Sequence, residues 1–92
     1  MKNEEEAKDL LHAHLKDYER RSYTDLVALI GKPNTAELRG PSGKAYQLEL
    51  QVFWDSRPGE ALRVLGSIDD GGWRAFVPLT DSFIMNSGGA IR

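Results

Sequence analysis

The sequence predicts an α+β domain: an N-terminal helix, or two helices, packed on one face of a four-stranded antiparallel β-meander. Three observations carry this reading. Apolar residues recur at three- and four-residue spacing up to about residue 30. From about residue 35 to 79 they recur at a spacing of two. Each change of strand falls on a turn containing Gly or Pro that keeps the same alternating face inward.

The first helix is drawn by Ala7, Leu10, Leu11, His14, Leu15 and Tyr18, which share one face, with Glu5, Glu6, Asp9, Lys16 and Glu19 opposite. Glu4–Lys8 and Asp17–Arg21 have the i,i+4 spacing of favourable ion pairs. Ser22-Tyr23-Thr24-Asp25 reads as an N-cap with an acid three residues on, so a break near Arg21-Ser22 is preferred over one long helix. Tyr23, Leu26, Val27 and Ile30 continue the helical period, which Gly31 and Pro33 stop.

The strands are expected near 35–39, 44–54, 61–69 and 73–79. Tyr46, Leu48, Leu50, Val52 and Trp54 mark the buried face of the second, and Leu62, Val64 and Ile68 that of the third. Pro41-Ser42-Gly43 suits a three-residue hairpin loop with Gly43 in the left-handed conformation. The loop Ser56–Glu60 sets Trp54 opposite Leu62. Asp70-Gly71 suits a two-residue turn, which sets Ile68 opposite Trp73, Gly66 opposite Ala75 and Val64 opposite Val77. Trp54 and Trp73 are then core residues, and Pro78 lies in an edge strand, where its missing N–H is tolerated.

Ninety-two residues suit a single domain, 1–92. It divides into an acidic amphipathic helix (1–21), a helix plus meander (22–84) and a flexible tail (85–92). There is no cysteine, which excludes a disulfide framework or thiolate chemistry and fits a reducing compartment. The start, Met1-Lys2-Asn3-Glu4-Glu5-Glu6, is acidic where a signal peptide is basic, and no apolar run is long enough to span a bilayer. A cytoplasmic protein without membrane association is expected. Residues 1–25 carry seven acids against five bases and 26–92 carry seven of each, so no basic stripe is available to phosphates and nucleic acid is disfavoured.

Diagnostic chemistry is sparse. His12 and His14, at i,i+2 on a helix, point to different sides and cannot share a metal. Asp69-Asp70-Gly71-Gly72 could offer carboxylates to a divalent cation, with Asp55 or Asp81, but turn formation alone demands the same residue types. No serine sits in a nucleophile elbow. Gly40-Pro41-Ser42-Gly43-Lys44 lacks the spacing of a phosphate loop, and its lysine enters a strand. No catalytic residue, metal or cofactor is expected.

The outer sheet face is less ordinary. Phe53, Leu65, Phe76 and Pro78 fall there together with Arg63, Arg74, Gln47 and Gln51, an apolar centre rimmed by arginines and amides. Phe83-Ile84-Met85 could fold back and hide this cluster.

Three stretches, Gly40-Pro41-Ser42-Gly43-Lys44, Gln51-Val52-Phe53-Trp54-Asp55 and Ile68-Asp69-Asp70-Gly71-Gly72-Trp73-Arg74-Ala75-Phe76, resemble a family of small uncharacterised bacterial proteins. The resemblance spans residues 23–84. It implies a bacterial, cytoplasmic α+β protein and assigns no activity.

The leading functional expectation is a non-enzymatic protein-interaction module, binding a protein partner or a second copy through the outer face or an edge strand. Phe53, Leu65 and Phe76 would anchor the contact, and Arg63 and Arg74 would form its hydrogen-bonding rim. One rival is a small enzyme or a ligand- or metal-binding domain built on the Asp69-Asp70 turn. Another is single-stranded nucleic acid stacking on Phe53 and Phe76.

Overall fold

The apolar stripe and the N-cap signal of the first thirty residues produce two helices, and the alternating segments that follow produce one open sheet. The computed structural model describes residues 2–72 and 78–92. The elements are α1 (Lys2–Glu19), α2 (Tyr23–Val27), β1 (Asn34–Arg39), β2 (Ala45–Trp54), β3 (Leu62–Asp69) and β4 (Leu79–Met85). The sheet order is β1-β2-β3-β4 and each neighbouring pair is antiparallel.

Helix α1 buries Ala7, Leu11, Leu15 and Tyr18, the stripe expected of it. Lys8 pairs with Glu4 at 3.8 Å. The expected Asp17–Arg21 pair is not formed: Asp17 meets Arg20, and the Arg21 guanidinium lies 4.4 Å above the Tyr18 ring. At i,i+3 Arg20 reaches the carboxylate, which leaves Arg21 to the aromatic face. The break falls where the cap residue stands, since the Ser22 side chain accepts the Asp25 N–H and its backbone is extended. Helix α2 ends before Gly31, at Val27. The chain then descends through tight turns to Gly31, whose positive φ of 80° suits only glycine.

The β1–β2 hairpin closes as expected. Gly43 adopts a φ of 88°, and the Gly40 N–H donates to the Lys44 carbonyl at 2.9 Å. Leu38 stands opposite Tyr46. The β2–β3 connection also keeps its expected register, with Trp54 opposite Leu62 and the Asp55 N–H donating to Ala61.

The β3–β4 register departs from expectation. Ile68, Gly66 and Val64 face Leu79, Asp81 and Phe83 in place of Trp73, Ala75 and Val77. The partner strand begins six positions later in the chain (79 against 73). An even slip preserves which side chains point inward, so alternation does not distinguish the two registers. The observed one puts Phe83 and Met85 into the core and leaves Pro78 before the strand, where no ladder hydrogen bond is lost. Asp70-Gly71 thus opens a longer connection and not a two-residue turn. Residues 73–77 lie outside the described residues, and the expected burial of Trp73 lies there too.

The segment after Met85, expected as a flexible tail, turns back on itself. The Asn86 N–H donates to Ala90, Ile91 bridges Met85, and the Arg92 N–H donates to the Ile84 carbonyl. The core unites the α1 stripe, Leu26, the even-numbered residues of β2 from Tyr46 to Val52, and Leu62, Val64, Ile68, Phe83 and Met85. Trp54 is half-buried at the margin of this core, tilted against Tyr23. Gly66 lies beneath α1: a Cβ there would stand 2.7 Å from Leu11 Cδ1 and 2.9 Å from Leu50 Cδ2, so the helix rests where β3 lacks a side chain.

Candidate interaction surface

With α1 and α2 on one face, the odd-numbered residues of β1, β2 and β3 line the other, joined by the even-numbered residues of β4 from Thr80 to Ile84. Two rows form the patch. In one, Phe53 lies opposite Arg63, which lies opposite Ile84; in the next, Gln51 lies opposite Leu65, which lies opposite Ser82. Phe53, Arg63 and Leu65 are therefore brought together as expected.

The described part of this face differs from expectation in two ways. Leu65 faces Ser82 and not Phe76, because β4 supplies the strand on that side. Arg74 and Phe76 lie outside the described residues. Phe83-Ile84-Met85 does not fold over the patch: Phe83 and Met85 point into the core as part of β4, and Ile84 joins the patch beside Arg63.

Arg63 is held from two sides. Its Nε donates to Asp55 Oδ1 at 3.1 Å, its Nη2 approaches the same oxygen at 3.0 Å, and its Nη1 donates to Ser82 Oγ at 3.0 Å. The guanidinium is engaged within its own chain and fixes a flat platform between Phe53 and Ile84. Phe53 keeps 37% of its surface exposed. Beside it, where β1 has yet to begin, a groove of about 350 Å³ runs between Ile30–Pro33 and Gln51–Phe53. A parallel bridge from Ile30 to Val52 forms its base. Asp55 and Ile84 were not anticipated as parts of this surface. The loop Ser56–Glu60 carries the signal for Asp55, since pairing Asp55 with Ala61 puts it diagonal to Arg63 on the same face.

The Asp69-Asp70 turn is engaged internally. Asp69 Oδ1 accepts the Gly71 N–H and Asp70 Oδ1 accepts the Gly72 N–H, while Asp70 Oδ2 meets Lys44 Nζ at 3.1 Å. The Gly72 amide first, and Lys44 with it, hold the Asp70 carboxyl below the usual carboxylate range. Among the described residues no three acidic or imidazole side chains converge as a metal site would require. His14 Nδ1–H donates to the Leu10 carbonyl one turn back.

A third cluster joins helix to hairpin. Glu6, expected on the solvent face of α1, accepts the Ser42 N–H at 2.9 Å, the Ser42 hydroxyl at 2.7 Å and the Tyr46 phenol at 2.7 Å. Ser42 above all, with Tyr46, pulls the Glu6 carboxyl below its ordinary value, while burial and the Glu6 hydrogen bond push the Tyr46 phenol up to about 12.

No protein-family model, curated protein or solved structure matches the chain. No described helix is long and apolar enough to cross a membrane.

Proposed function

We propose that this domain is a non-enzymatic protein-interaction module whose docking patch is the outer sheet face centred on Phe53. The observation that supports it most is the Phe53–Arg63–Ile84 row: an exposed aromatic ring beside a guanidinium that two neighbours immobilise, flanked by an apolar groove. A rigid aromatic anchor next to a preformed groove binds a partner's apolar side chain with little ordering cost. Arg63 acts here by holding the platform, since its hydrogen bonds are already made. A cysteine-free chain suits the cytoplasm.

Neither rival gains a specific observation. The Asp69 and Asp70 carboxylates serve the turn and Lys44. The described outer face carries Glu37, Glu49, Asp55 and Asp69 against Arg39 and Arg63, a poor balance for a phosphate backbone.

The test is selection from a random-peptide library on the folded protein, with Phe53→Ser as counter-target. The expected result is a set of peptides sharing an apolar anchor that bind the parent protein and lose binding to Phe53→Ser. Enrichment indifferent to that substitution, or none at all, would overturn the reading.

A further inference from the structure

The two sheet edges are treated differently. At the β4 edge the chain's own end returns, and Arg92 takes the outward-facing Ile84 carbonyl. Among the described residues, none pairs with the far side of β1 at the other edge. The hairpin closure sets which backbone groups are free. Because Gly40 bonds to Lys44, antiparallel alternation turns Leu38 and Ala36 toward β2 and leaves the N–H and C=O of Thr35, Glu37 and Arg39 pointing outward. Edges are commonly blunted by a bulge, a proline or charged side chains, of which only the last is present on β1. This one has six residues in regular pairing, with Pro33 and Pro41 only outside it.

The charges on that edge are of opposite sign and two residues apart. We propose that β1 pairs with β1 of a second copy, antiparallel about a twofold axis at Leu38. In this register Glu37 of each copy stands opposite Arg39 of the other, and each such pair exchanges both backbone hydrogen bonds. The outward groups of Glu37 and Arg39 match across the axis, and Thr35 falls opposite Pro41, which has no N–H to give. The two Leu38 side chains meet on the inner face, where Leu38 is half-buried in the single chain and packed against the core. Moving the axis to Glu37 sets two carboxylates face to face, so charge selects the first register. Glu37 accepts from Gln47 and Arg39 donates to the Gly43 carbonyl, both on the β2 side, so contact with the other copy uses the second carboxylate oxygen and the further guanidinium N–H groups. The contact is short and belongs among weak, reversible associations. It uses β1 alone, so it stands or falls separately from the Phe53 patch.

Sedimentation velocity between about 1 µM and 1 mM, the range of contacts this small, tests the pairing. Dimerisation is expected for the parent protein. Glu37→Arg and Arg39→Glu, each setting like charges opposite, should weaken it about tenfold. The double exchange Glu37→Arg with Arg39→Glu should restore it. Circular dichroism confirms that each variant is folded. In a chain with no native cysteine, Leu38→Cys should cross-link to itself on mild oxidation, since facing Cα atoms about 4.5 Å apart lie within disulfide reach, and Ala36→Cys should not. A monomer throughout the range would overturn the proposal. So would a dimer that ignores both single exchanges, or equal cross-linking at 36 and 38.

Discussion

The Glu6 carboxylate accepts the Tyr46 phenol at 2.7 Å, joining α1 to β2 across forty positions of sequence. With the two Ser42 bonds, it makes Glu6 the clasp between the helix and the β1–β2 hairpin.

The clasp sets a pH window. The Glu6 pKa is lowered in the folded protein, so its contribution is present above the unfolded value of 4.5 and is lost as pH falls through the folded value. The Tyr46 pKa is raised from 10.0 to about 12, so its contribution is complete below 10.0 and is lost as pH rises toward 12. Melting temperature against pH should fall less steeply at both ends in Glu6→Gln than in the parent protein. Tyr46→Phe should flatten the alkaline limb and, because it removes one of the hydrogen bonds that lower the Glu6 pKa, the acid limb in part, with the Ser42 bonds retained. Parallel curves for all three proteins would show that the clasp carries no stability.

Phe83 distinguishes the observed β4 from the register expected of residues 73–79. As a core residue opposite Val64, its replacement by Ala should cost about 3–5 kcal/mol in urea unfolding. A nearly neutral Phe83→Ala would place this segment outside the sheet.

Gly66→Ala tests the fit of α1 on β3. The added methyl meets Leu11 and Leu50 inside van der Waals distance, so the variant should lose about 1–3 kcal/mol. Leu11→Ala in the same background should recover part of that loss. Two purely additive penalties would mean that the helix does not rest on Gly66.

The outer face should divide into a structural and a free residue. Arg63→Ala removes the bonds to Asp55 and Ser82 and should cost about 1 kcal/mol, while Phe53→Ser should stay within about 0.5 kcal/mol. The reverse order would mean that the Phe53 ring is packed and not presented.

Asp69→Asn combined with Asp70→Asn should retain the fold, because Asn side chains make the same turn bonds to backbone N–H groups. Mg²⁺ or Ca²⁺ should leave the melting temperature of the parent protein unchanged. A saturable rise that the double variant abolishes would establish a cation site.

What was legible in the sequence follows the range of the interactions concerned. Gly43 and the Ser56–Glu60 loop lie next to the registers they set, and both hairpins were readable from them together with the alternation of β2. The β3–β4 register was not, because Trp73–Leu79 and Leu79–Met85 both alternate and differ by an even slip. The choice rests on core volume at Phe83 and Met85 and on the placement of Pro78. Phe53, Arg63 and Leu65 could be assigned to one face by parity alone. The Asp55 and Ser82 bonds to Arg63 depend on loop course and on β4, and Glu6 finds its partners in a hairpin remote in sequence.

Resting α1 on Gly66 also orders events during synthesis. The helix leaves the ribosome before the strands, yet its main contacts are with β3 and β4, which are made after β1 and β2. With strands added at about 5–20 residues per second, the stripe of Ala7, Leu11, Leu15 and Tyr18 stays uncovered for several seconds in each nascent chain. The seven acidic residues of the first twenty-five, against five basic ones, give the uncovered segment a net negative charge, which opposes its association.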